Sequence, residues 1–266
     1  MKLIDTHCHI DADCFDADRG RLVQEAARAG LVDALICSGF VAGFSKSQRA
    51  AHSTRWHYAL GIHPLFLPED DAAVDRDVLA LRLAAQAALA DPRFAAIGEI
   101  GLDAWVKTLP WERQLRLFAG QLKVARDLAL PVSVHARHCP DAVACELRRW
   151  GVRQGVIHAF NGSEVQAERF LNMGFKLGFG GALLYSGSRR IRRIFTSLGP
   201  QDFVFETDAP DMPSPWRRQN EDPRTHPADI ARYVEEGALL RGVNVELLSE
   251  QSRENALEAF SRLRSS

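Results

Sequence analysis

The chain has 266 residues, 46% of them hydrophobic and 25% charged, with a formal net charge of -1. Those proportions are ordinary for a soluble globular protein, and the near-neutral charge argues against a protein that grips nucleic acid through a broadly basic surface. It does not argue against one that holds phosphates through bound metal ions. No apolar run approaches the roughly 18 residues that span a membrane, and the first residues show no hydrophobic signal core. The five cysteines are Cys8, Cys14, Cys37, Cys139 and Cys145, an odd count with no CxxC. A disulfide framework is therefore not expected, and a cytoplasmic location is the default expectation.

Short apolar, β-branched runs alternate along the chain with segments of helical period. The runs at 2–8, 33–38, 57–62, 95–100, 131–135, 155–158, 175–179 and 203–207 read as eight strands. The segments at 19–29, 45–53, 78–90, 111–128, 142–150, 164–172 and 189–198 read as helices, with two more at 228–241 and 246–264. Gly30, Gly151 and Gly174 follow their helices closely, where a left-handed cap suits glycine. The stretch 210–227 holds five prolines and reads as a long loop. Eight strand–helix units suit an α/β fold closed as a single (β/α)8 TIM barrel, a form that consumes about 250 residues. One domain over 1–266 is the expectation. An open doubly wound sheet fits less well, because no glycine-rich phosphate loop follows the first strand.

Polar residues sit at the C-terminal ends of these runs, where barrels assemble their sites. Asp5-Thr6-His7-Cys8-His9 ends the first, and alternation puts His7 and His9 on one face with Cys8 opposite. His63 follows the third run, and Glu99 and Asp103 lie at the end of the fourth. His135 ends the fifth, His158 the sixth and Asp208 the eighth. Singly, each is explained by a structural role. Together, five of the nine histidines and three acids would converge on one mouth. Imidazole and carboxylate without thiolate suit Zn, Mn, Ni or Fe(II). Four histidines and two carboxylates exceed the needs of one ion. They suit two ions about 3.5–4 Å apart with a bridging carboxylate, for which Glu99, midway round the barrel, is placed.

These segments resemble the TatD family of metal-dependent deoxyribonucleases. The resemblance is carried by Asp5-Thr6-His7-Cys8-His9, Gly61-Ile62-His63-Pro64, Gly98-Glu99-Ile100-Gly101-Leu102-Asp103, Pro131-Val132-Ser133-Val134-His135, His158-Ala159-Phe160-Asn161-Gly162 and Glu206-Thr207-Asp208-Ala209-Pro210, in the family's order. Asp208-Ala209-Pro210-Asp211-Met212-Pro213 resembles the YjjV-like branch more than the founding member. The resemblance implies a barrel hydrolase of the amidohydrolase-like superfamily with two divalent ions, drawn from Zn, Mn, Mg, Ni or Co. It implies that His7, His9, Glu99 and Asp208 hold the first ion and Glu99, His135 and His158 the second. It further implies that His63 faces the substrate phosphate and that Asp208 orients or deprotonates the attacking water. Related barrels bridge their metals with a carboxylated lysine; here that strand offers Glu99.

The expected reaction is hydrolysis of phosphodiester bonds in single-stranded or strand-end DNA, or in a small phosphoester. Arg137, two residues beyond His135 on the same strand face, is a candidate for holding a non-bridging oxygen. Asp103 is a candidate for orienting an imidazole. Glu206 carries little weight for that role. Arg189-Arg190, Arg192-Arg193 and Arg217-Arg218 are short basic clusters placed to line a substrate groove. A metal-dependent ester or amide hydrolase is the competing expectation, and a non-enzymatic barrel with a vestigial site ranks below both. Nothing in the sequence demands an oligomer or a membrane.

Overall fold

The computed structural model describes residues 1–265. Eight parallel strands lie in chain order in one sheet: β1 (Leu3–Cys8), β2 (Leu31–Cys37), β3 (His57–Leu60), β4 (Phe94–Asp103), β5 (Val132–Arg137), β6 (Gly155–Ile157), β7 (Phe175–Phe179) and β8 (Phe203–Phe205). Seven helices connect them: α1 (Arg19–Arg28), α2 (Phe44–Thr54), α3 (Asp71–Ala88), α4 (Trp111–Asp127), α5 (Pro140–Trp150), α6 (Glu164–Leu171) and α7 (Arg189–Ser197). Two more, α8 (Ile230–Arg241) and α9 (Val245–Ala259), follow β8. The sheet curls round so that Asp208 N–H donates to His7 O at 2.9 Å and His9 N–H donates to Ala209 O at 2.7 Å. The architecture is a (β/α)8 barrel.

Helices outside and side chains inside bury each strand on two faces, so the strands are continuous apolar runs rather than alternating ones. β1 and β4 are buried at every position. The inner core is made of small and branched residues from the strands, among them Ile4, Leu35, Ala59, Ala95, Val156 and Val204. Ala256, Ala259, Phe260 and Leu263, from α9 and the turn after it, complete that core. Side chains of the same segment reach backbone carbonyls at or next to the N-terminal ends of three strands. Asn255 Nδ2 donates to Phe203 O at 2.8 Å, Ser249 Oγ to Lys2 O at 3.3 Å, and Arg262 Nε to Phe94 O at 2.5 Å. The last helix therefore stops the bottom of the barrel, and the polar side chains gather at the opposite mouth.

Several boundaries differ from the sequence expectation. β4 runs on from Ile100 to Asp103, because Ile100–Asp103 pairs in register with Val134–Arg137 of β5. α3 starts at Asp71, not Val78; its first turn is acidic and exposed, but Asp70 caps it by accepting the Ala73 N–H at 2.7 Å. β8 stops at Phe205, so Glu206, Thr207 and Asp208 lie beyond the strand. The final helix ends at Ala259 and a short 3₁₀ turn, Ser261–Ser265, replaces its expected last residues.

Candidate metal centre

His7 is fully buried at the end of β1, and His9 follows one residue past it with its ring 21% exposed. Their Nε2 atoms are 3.2 Å apart, so the two rings do share a face, with Cys8 buried on the other. Glu99, 3% exposed in the middle of β4, stands at the centre of the mouth. One of its oxygens, Oε2, lies 3.2 Å from His7 Nε2 and 3.4 Å from His9 Nε2. The other, Oε1, lies 3.2 Å from His135 Nδ1, 3.3 Å from His63 Nε2 and 3.8 Å from His158 Nε2. Asp208 completes the ring: Oδ1 is 3.5 Å from His9 Nε2, and Oδ2 is 3.9 Å from His158 Nε2. Asp208 has a left-handed backbone, with φ of 58°. That conformation is costly for a non-glycine residue and is concentrated at functional sites.

The far nitrogen of each ring decides what the near one offers. His9 Nδ1 is 2.7 Å from Cys37 O, and His158 Nδ1 is 3.0 Å from Glu206 Oε1. A carbonyl or carboxylate only accepts, so Nδ1 carries a proton, and in the neutral ring Nε2 keeps its lone pair. His135 is inverted: Nε2 donates to Asp103 Oδ2 at 3.1 Å, leaving Nδ1 for Glu99. His7 rests its Nδ1 on Ser133 Oγ at 2.8 Å, an arrangement compatible with a free Nε2. His63 is the exception. Its Nδ1 accepts the Leu65 N–H at 3.0 Å, so the proton sits on Nε2 and points at Glu99. As neutral rings, four histidines can thus turn a lone pair to the mouth, and the fifth presents an N–H.

Glu206, a weak candidate from the sequence, takes the orienting role. It is 1% exposed and faces the histidine cluster, holding His158 Nδ1 and accepting the Ala159 N–H. Two residues before Asp208, it lies on the same side of the chain, as His7 does with His9. Gly178 of β7 makes room for it, since a Cβ there would lie 2.2 Å from Glu206 Oε2. Arg137 ends β5 exposed at the rim, its guanidinium 5.3 Å from the Trp105 ring centroid. The basic clusters are largely engaged elsewhere. Arg190 donates to Asn161, Arg192 to Glu236, Arg193 to Glu164 and Arg217 to Asp229.

Burial of three acids and five histidines sets the site's electrostatics. Burial alone would raise the pKa of Glu99, but the His63 and His7 rings hold it well below the usual carboxylate range. Asp208 is likewise lowered against burial, by His158 and His9. Burial works to depress His158, yet Glu206 and Asp208 push it up to about 10. His9 and His135 are raised in the same way, against burial, by the acids they face. The acids therefore draw positive charge to the very nitrogens that aim inward, which divalent cations would satisfy. Cys37, 3.5 Å from His7 Nδ1, does not join them: burial pushes its thiol well above the ordinary range. His7, Glu99 and His158 form one group able to hold a metal ion, and His7, His9 and Asp208 another. His63, Glu99 and His135 form a third by proximity, from which the protonated Nε2 of His63 removes it.

A (β/α)8 barrel whose strand ends bring imidazoles and carboxylates to one mouth is the arrangement of a metal-dependent hydrolase. The model of the TatD related DNase family matches residues 4–261, and the chain belongs to that family. It is 37% identical over 214 residues to the uncharacterized metal-dependent hydrolase YjjV of Escherichia coli K12, covering 80% of this chain and 81% of that one. It is 30% identical over 252 residues to the 3'-5' ssDNA/RNA exonuclease TatD of a Rahnella strain, covering 92% and 93%. The crystal structure of the Escherichia coli YjjV protein has a TM-score of 0.89 to this chain at 33% identity, over 97% of this chain and 98% of that one.

Proposed function

We propose that residues 1–266 form one hydrolase domain that uses two divalent ions to cleave phosphodiester bonds in single-stranded nucleic acid, DNA first. The observation that carries this reading is the division of Glu99, with Oε2 toward His7 and His9 and Oε1 toward His135 and His158. A carboxylate so placed could serve both of two ions. His7, His9, Glu99 and Asp208 would hold the first, and Glu99, His135 and His158 the second. The donor set is nitrogen and oxygen only, which suits Zn, Mn, Mg, Ni or Co. When bound, such a pair lowers the pKa of a shared water and neutralises charge on the phosphoryl oxygens. Asp208, kept ionised, accepts the proton of the attacking water. His63 Nε2–H binds a non-bridging oxygen, the task its fixed proton fits it for. Arg137 adds a cation where the phosphate enters. Asp103 and Glu206 fix the rings of His135 and His158. The name of the Rahnella relative as an ssDNA/RNA exonuclease supports the choice of substrate.

The test strips the protein with a chelator, reloads it with Mn, Mg, Zn or Co, and assays single-stranded oligonucleotide cleavage. Cleavage is expected with at least one ion, and Glu99→Ala and His135→Ala are expected to abolish it with unchanged circular dichroism. If no reloaded sample cuts the oligonucleotide, the nuclease reading fails.

A further inference from the structure

Two groups of exposed aromatic rings lie on loops that leave the strand ends at the mouth. Trp105, in the turn after β4, is 56% exposed. Its ring stacks on His138 with centroids 4.9 Å apart and planes 29° from parallel, and Arg137 lies over it at 5.3 Å. Phe40 after β2 and Phe66 after β3 meet at 4.9 Å and are 44% and 53% exposed. Neither group belongs to the hydrophobic core, and clustered exposed apolar rings at a site mark binding rather than folding.

Each group is anchored to a histidine of the site. Asp103 gives Oδ2 to His135 and Oδ1 to the backbone N–H groups of Trp105 at 2.8 Å and Val106 at 3.0 Å. The carboxylate that orients the imidazole therefore also fixes the turn that carries the indole. The Phe66 N–H donates to His63 O at 2.9 Å, and the Phe66 ring meets the His63 ring edge-on at 6.5 Å. His63 and His135, to which the two groups are anchored, have ring centroids 4.5 Å apart. One aromatic group is thus tied to each of two adjacent histidines of the site.

We propose that Trp105 and the Phe40–Phe66 pair stack the bases on either side of the phosphate to be cut, making this mouth a site for unpaired nucleic acid. The inference rests on the nuclease reading and deepens it. Base faces are available for stacking only where they are not already stacked in a duplex, so the ledges select single strands and tolerate any sequence. Arg137, lying over the indole, places a cation beside the next phosphate. Two ledges about one phosphate set the minimal good substrate at a dinucleotide.

The test uses the metal-loaded full chain with a phosphorothioate-linked, single-stranded oligonucleotide containing 2-aminopurine, whose fluorescence falls on stacking. Wild type is expected to bind and quench. Trp105→Ala and Phe66→Ala are expected each to weaken binding about tenfold and to reduce the quench, with Trp105→Tyr restoring both. Leu239→Ala, exposed on α8, is the control and should match wild type. On a cleavable strand the same variants should raise KM far more than they lower kcat. With abasic residues flanking the scissile phosphate, variants and wild type should converge. If wild type cleaves but the variants bind and quench as it does, the ledges are overturned and the nuclease reading stands. If wild type binds and quenches without cleaving under any metal, the ledges stand and the nuclease reading falls. If Trp105→Ala abolishes self-association while oligonucleotide binding is unchanged, the rings serve a protein contact and the proposal is overturned.

Discussion

Glu206 lies two residues before Asp208 at the end of an apolar run, a spacing at which an extended chain puts both side chains on one side, as it does for His7 and His9. Both acids accordingly face His158, although β8 itself ends at Phe205 and Asp208 has a positive φ. The convergence of these histidines and acids was legible in the sequence because strand ends in a barrel meet at one mouth. The Glu206 contact was less so, because it also needs the missing side chain of Gly178, which no period reveals. Glu206→Gln keeps an acceptor for His158 but removes the charge that fixes its tautomer. It is expected to lower metal affinity or activity about 10–100-fold, read by titration of the stripped protein with zinc and by kcat. Gly178→Ala should act in the same direction, by pushing the carboxylate away. His63 was legible as a site residue, but only its Leu65 contact separates it from the ligands. His63→Ala is expected to keep the full metal content, measured by elemental analysis, while losing about 10²–10³ in kcat, as for removal of one preorganised donor. Loss of one ion per chain in that variant would instead make His63 a ligand.

At the level of elements, the two ends of the barrel follow different rules. Most strand and helix positions were legible from period alone, and the misplaced boundaries are those set by particular hydrogen bonds rather than by period. The extension of β4 is fixed by β5, and the early start of α3 by a capping carboxylate on an otherwise polar turn. The bottom end is held by a comparable device at Asp91, between α3 and β4. Its side chain accepts from His52 Nε2 at 2.9 Å, Tyr58 Oη at 2.9 Å, Gln48 Nε2 at 3.2 Å and the Arg93 N–H at 2.9 Å. It thereby ties α2 and β3 to the start of β4. Burial works to raise its pKa, but these donors outweigh burial and hold it at about 2. The unfolded value is about 3.9, so the folded pKa is depressed. The stabilisation is complete above that value and is lost as pH falls from about 4 through about 2. Asp91→Asn is expected to cost about 1–3 kcal/mol at neutral pH. It should also flatten the acid limb of stability between those pH values, as measured by urea denaturation. An unchanged acid limb would show that Asp91 does not carry it.

For the whole molecule, the decisive quantity is the distribution of its charge rather than the sum of -1. The arginine clusters that a groove would use are paired with Asn161, Glu236, Glu164 and Asp229, so few free cations face a strand along its length. At the mouth the acids are buried and set to hold metal ions, and the exposed cation described there is Arg137, with the aromatic ledges beside it. Such a surface captures nucleic acid by local contacts at the cut site and not by a long electrostatic track. The number of phosphates neutralised by side chains should then be about one or two, giving a slope of log affinity against log salt near -1 for a single strand. Between 50 and 200 mM salt, the KM for a single-stranded oligonucleotide is expected to rise about fourfold, where a protein contacting many phosphates would lose about a thousandfold or more. KM should also stop improving once the strand extends a few nucleotides past the scissile bond. A steep salt dependence, or affinity that keeps growing with strand length, would mean that the strand runs on over the α7 arginines after breaking their ion pairs. Substituting Arg190 and Arg193 with alanine would then flatten the slope, whereas a strand confined to the mouth predicts no change.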